Sequence, residues 1–75
     1  MAKLFMLQTA LANLTQEGTA EILGTGWQIA LDNDEILFIG CGDEGFTYQI
    51  LREDESWSKI EGLESVSELT ALMDV

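Results

Sequence analysis

The side chains in this chain that could do chemistry are almost all carboxylates, and they come in bursts: "DNDE" at 32–35, "GDEG" at 42–45 and "REDE" at 52–55. Paired carboxylates can act as general acid and base on a glycosidic bond, but a chain of 75 residues has little room to enclose a sugar subsite. There is no histidine, so a serine or cysteine nucleophile would lack its usual base. Cys41, the single cysteine, lies between Gly40 and Gly42 with no cation beside it, and reads as a small turn or core residue. "GTGW" and "GCGDEG" contain neither a dinucleotide fingerprint nor a phosphate-binding Walker sequence; their glycines fit tight turns. "DNDEILFIGCGD" begins like a calcium loop, yet Leu37 stands where that loop needs glycine, and Phe38 and Gly40 stand where it needs ligands. The expectation is a protein that is not an enzyme and holds no cofactor or metal.

What remains is the charge itself. Fourteen acidic residues against three basic ones give a net charge of −11, which argues against direct binding to nucleic acid or to an anionic membrane surface and makes a basic protein the natural complement. One cysteine forms no internal disulfide, which suits a reducing compartment, and the cytoplasm is the default location. "MAKLFMLQTALANLT" resembles a secretory signal in having Lys3 before apolar residues. Gln8, Thr9 and Asn13 interrupt that run, and no second basic residue supports it. No uninterrupted apolar stretch approaches the ~18 residues of a membrane span.

The elements that must position the carboxylates can be read from periodicity. A chain this short buries only about 60 per cent of its unfolded surface and supports one core, so residues 1–75 are expected to form a single domain. Leu4, Leu7, Leu11 and Leu14 recur at helical spacing, predicting a helix over 3–17 that Gly18 ends in a left-handed cap; Phe5 and Met6 widen its apolar side and should bed it deeply on a sheet. "TAEIL" and "GWQIALD" alternate, with Trp27, Ile29 and Leu31 on one face. "ILFIG" is apolar at every position, as in a central strand, and "FTYQILR" aligns Phe46, Tyr48 and Ile50. "SWSKIEG" fits a fifth short strand, a helical turn or an ordered loop. Ser65 and Glu68 have capping-box spacing before a short helix carrying Val66, Leu69, Leu72 and Met73. The sum is an α+β domain: helix, antiparallel meander of three to four strands, short C-terminal helix.

Alternate connections of a meander lie at the same end of the sheet. Asp32, Asp34 and Glu35 should therefore lie near Glu53, Asp54 and Glu55, with Glu17 a candidate to join them and Arg52 the nearby cation. Charges ~10 Å apart in water repel by roughly 0.4 kcal/mol, and by about a third of that in salt, so the roughly fifteen pairs among six charges cost about 2 kcal/mol. That is a noticeable fraction of the stability of a small domain. A row of carboxylates on a rigid edge offers to Lys and Arg clusters what a phosphate backbone offers them. We read Leu37, Ile39 and Leu51 as pointing away from the face of Phe38, Tyr48 and Ile50. One helix on each side would cover both faces. Otherwise the second face is free for a partner or a homodimer, with Trp57 as an aromatic anchor.

Short length, extreme acidity, the absence of His and Pro, and the clusters "DNDE", "GDEG" and "REDE" on a compact α+β pattern resemble in kind the small phage-encoded inhibitors that include anti-CRISPR proteins and other nucleic-acid mimics. The resemblance is spread over the whole chain rather than carried by a motif, and no functional residue is transferred from it. It implies an inhibitor that occupies a nucleic-acid-binding surface. From the charge pattern, the partner-binding residues expected are Asp32, Asp34, Glu35, Glu53, Asp54 and Glu55 as phosphate surrogates, and Trp57. The alternative is an acidic adaptor, antitoxin or immunity-type protein that binds a basic partner without such mimicry.

Overall fold

The computed structural model describes residues 2–74, with side chains from residue 4. The side chain of Lys3, the basic group of the signal-like start, lies outside the described residues. The elements run α1 (Ala2–Glu17), β1 (Ala20–Leu23), β2 (Gly26–Ala30), β3 (Ile36–Gly42), β4 (Gly45–Leu51), β5 (Glu61–Leu63) and α2 (Val66–Met73). The strands form one antiparallel sheet in chain order, β1-β2-β3-β4-β5, so the α+β meander is as read from the sequence but has five strands.

Local chemistry sets the helix ends. Gly18 takes φ +83, its N–H donates to Thr15 O at 3.2 Å, and the Thr19 N–H donates to Leu14 O at 2.9 Å. This pair of bonds is the Schellman arrangement, which satisfies carbonyls the helix leaves free. At the start of α2 the Glu68 N–H donates to Ser65 Oγ at 3.2 Å, the first half of the capping box. The second half reaches one residue further: Glu68 Oε1 accepts from the Glu64 N–H at 3.1 Å.

The register decides what each face carries. Ile29 opposes Leu37, which opposes Ile50; Trp27 opposes Ile39, which opposes Tyr48; Cys41 opposes Phe46, which opposes Leu63. These residues share one face. Leu7 and Leu11 of α1 and Leu69 of α2 close over it, giving a contiguous core with Ala20, Ile29, Leu31, Leu37, Ile39, Phe46 and Leu63. Trp27 meets Phe46 edge-on, ring centroids 5.7 Å apart, across β3. Both helices therefore lie on the same side.

Several expectations are corrected. Leu37 and Ile39 lie with Tyr48 and Ile50, whereas Leu51 lies with Phe38, because Ile36 opposes Leu51 and Phe38 opposes Gln49. Phe5 and Met6 do not deepen the helix contact: they are 69 % and 58 % exposed, since Leu7 and Leu11 already occupy the arc facing the sheet. Cys41 is neither turn nor core. It is an exposed strand residue whose Sγ donates to Thr25 O at 3.5 Å.

Candidate functional site

The β2–β3 and β4–β5 connections are turns of the same build. In the first, "LDNDE", the Leu31 N–H donates to Glu35 O at 2.8 Å, Asn33 Oδ1 accepts from the Glu35 N–H at 3.2 Å, and Asp34 takes φ 65. In the second, "REDES", the Arg52 N–H donates to Ser56 O at 2.8 Å, Asp54 Oδ1 accepts from the Ser56 N–H at 3.0 Å, and Glu55 takes φ 69. In both, the third residue is an Asn or Asp that bonds its own backbone two residues on, a local stabiliser of turns. In both, the second and fourth residues are acidic: Asp32 and Asp34, Glu53 and Glu55. The fourth stands in the left-handed region, which costs a side chain other than glycine about 1–2 kcal/mol.

The register brings these twin turns together. Ile36 opposes Leu51, so Glu35 enters β3 as Arg52 leaves β4, and Glu35, Arg52, Glu53 and Asp54 line one shallow depression. Asp32, Asp34 and Glu55 stand at the same end of the sheet on the outer parts of the turns, exposed. Glu17 also belongs to that end, because β1 begins with Ala20 opposite Ile29. The Ser56 hydroxyl donates to Asp54 Oδ1 at 2.6 Å; together with the Ser56 N–H and nearby Arg52, it holds the Asp54 carboxyl below the usual carboxylate range.

Trp57 is placed one step in from this edge. It makes an antiparallel bridge to Leu51, its ring lies 5.3 Å from that of Phe38, and it is 51 % exposed. Ser58 fixes the segment that follows: its N–H donates to Ile50 O at 2.9 Å, and its Oγ accepts from the Ile50 N–H at 2.8 Å in place of a backbone carbonyl. The irregular stretch left open in the sequence is thus a bridge, a side-chain-completed ladder and then β5.

The opposite end of the sheet carries further carboxylates, outside the six expected to bind a partner. Asp43, Glu44 and Glu64 line a broad depression with Leu4, Phe46 and Leu63. "GDEG" was visible as a cluster, but Glu64 joins it only because Leu63 pairs with Phe46. Among the described residues, no group of three or more His, Cys, Asp or Glu could hold a metal ion, and no helix is long and apolar enough to cross a membrane.

Comparison with known protein families, with curated proteins and with solved structures finds no match to this chain. The functional reading rests on the chain's own residues.

Proposed function

We propose that this chain is a non-enzymatic inhibitor or regulator, acting in the cytoplasm, that sets its acidic edge against the nucleic-acid-binding surface of a basic partner protein, in the manner of anti-CRISPR-like and DNA-mimic proteins. The observation that carries this reading is the pair of twin turns. One sheet end presents Asp32, Asp34 and Glu35 beside Glu53, Asp54 and Glu55, with Asp32 and Glu53, and Asp34 and Glu55, at equivalent places in two internally hydrogen-bonded loops. Two of the six stand where glycine would be easier for the backbone, so the edge keeps its charge against both repulsion and conformational preference. Spaced carboxylates on hydrogen-bonded loops suit a surface built to take phosphates.

The test is retention of partners by the native chain and by a variant with Asp32, Asp34 and Asp54 changed to Asn and Glu35, Glu53 and Glu55 to Gln, at low and high salt, with and without added DNA or RNA. Mimicry requires that retained basic nucleic-acid-binding proteins be lost with the variant and released by nucleic acid. A salt-sensitive complex that nucleic acid leaves intact would instead indicate the acidic adaptor or immunity-type protein. Retention by the neutralised variant would remove the edge from the account.

A further inference from the structure

Both helices cover one face of the sheet, and among the described residues no element covers the other. Its rows are set by the register. Ala30, Ile36, Leu51 and Trp57 lie next to the twin turns, Glu21, Gln28, Phe38 and Gln49 come next, with the Gln28 side-chain amide donating to Glu21, and then Leu23, Gly40, Thr47 and Gly62. Phe38 and Trp57 form an aromatic pair there, with Phe38 half-buried and Trp57 exposed. A sheet of apolar and aromatic residues ordinarily buries such a face against a second layer.

The charge at the borders says what that layer is. Along the strands the face begins at the carboxylates of 32–35 and 53–55 and ends at Asp43 and Glu44 on the β3–β4 turn. Seven residues of β3 separate these borders, about 23 Å at strand rise. A second copy would bring a net charge of −11 against −11 and set like-charged borders against each other. A basic segment meets the same borders with complementary sign, and the π faces of Phe38 and Trp57 attract Arg or Lys. A helix of about fifteen residues spans the distance.

Gly40 and Gly62 leave the far row without side chains on β3 and β5, and the fold does not demand them. A Cβ at Gly62 would meet nothing within 4 Å, and one at Gly40 only Thr47 Oγ1 at 3.6 Å. Glycine inside a strand weakens it, and it commonly marks close approach of another backbone.

We infer that the open sheet face is the docking surface for an amphipathic helix of the basic partner, with an apolar middle over Phe38 and Trp57 and Lys or Arg at both ends against the two acidic borders. This rests on the proposed function and adds the shape of the partner's contact: two basic groups about 20 Å apart along one helix.

The probe is a synthetic sixteen-residue helical peptide with two Lys or Arg at each end and a Leu/Ala face, compared with a peptide of the same composition scrambled to remove that face. Binding is followed by the NMR signals of the Trp57 indole N–H and the Gly40 and Gly62 amides. Shifts at these three positions are expected with the first peptide, and at least tenfold weaker binding with the scrambled one. The Gly40→Ala/Gly62→Val double variant should fold as well as the native chain and bind the first peptide at least tenfold more weakly. Equal binding of the two peptides, or shifts confined to 32–35 and 53–55, would overturn the docking surface and leave the acidic edge standing. Unchanged binding of the peptide by the six-fold neutralised variant would count against the acidic edge itself. A doubled mass by sedimentation, with shifts at Gly40 and Gly62 on dilution, would assign the face to a second copy and refute the inference.

Discussion

Asp34 and Glu55 occupy the same place in two turns of the same build, each the fourth residue and each with left-handed backbone, at φ 65 and 69. Neither turn alone explains an acidic residue there, because glycine adopts this conformation without a Cβ penalty. Replacing either with glycine removes one charge from a crowded end and relaxes the backbone together. Asp34→Gly and Glu55→Gly should each raise stability by about 1 kcal/mol, read as a higher urea midpoint at unchanged slope. A loss of stability in both would mean that these side chains hold the turns rather than burden them.

Asp54 is held in its charged form by Ser56 and, less strongly, by Arg52. Its carboxyl should titrate below the ordinary carboxylate range of about 3.9, and Ser56→Ala should raise it, as followed by carbon NMR of the side chain. The sign of the linkage follows from a folded-state value below the unfolded one. The stabilising contribution is complete above the unfolded value and is lost as pH falls through the lowered one. Identical titration of Asp54 in the native chain and in Ser56→Ala would show that the hydroxyl contact is not kept in solution.

Ser58 completes the ladder with its side chain, so Ser58→Ala leaves the Ile50 N–H without its acceptor in a half-buried strand. A loss of about 1–2 kcal/mol is expected, with faster hydrogen exchange at Ile50 and a weakened Trp57–Phe38 contact seen in fluorescence. Exchange at Ile50 no faster than in the native chain would show that a water or another carbonyl takes over.

At Gly26 an added Cβ would collide with the backbone carbonyl of Ile39, a group that cannot rotate away. Gly26→Ala should cost about 1–3 kcal/mol, whereas Gly62→Ala, facing open space, should be neutral or stabilising. Equal melting temperatures for the two variants would contradict the tight β2–β3 approach.

Leu37→Ala and Leu69→Ala remove fully buried side chains and should each cost about 2–5 kcal/mol, enough to unfold much of a small domain. Phe5→Ser and Met6→Ser, on the exposed side of α1, should stay within about 0.5 kcal/mol. Destabilisation by Phe5→Ser as large as that by Leu69→Ala would place Phe5 in the core after all.

The order of the elements, the Gly18 cap, the Ser65 cap and the turns were legible in the sequence because each rests on a local signal: a helical repeat, a glycine past the last leucine, a capping residue, a polar burst between apolar runs. The meeting of 32–35 with 53–55 was legible too, since it follows from meander connectivity alone. Which face each strand residue takes was not. "ILFIG" is apolar at every position, so its period of two has no visible phase, and only pairing with β2 and β4 puts Leu37 and Ile39 under the helices and Phe38 on the open side. The apolar arc of α1 is similarly wider than one sheet contact, and packing rather than periodicity left Phe5 and Met6 outside. Local spacing determined what the segments are and where the charges gather. Tertiary packing alone decided that both helices share one face, and so that Phe38 and Trp57 lie on the other, between two acidic borders.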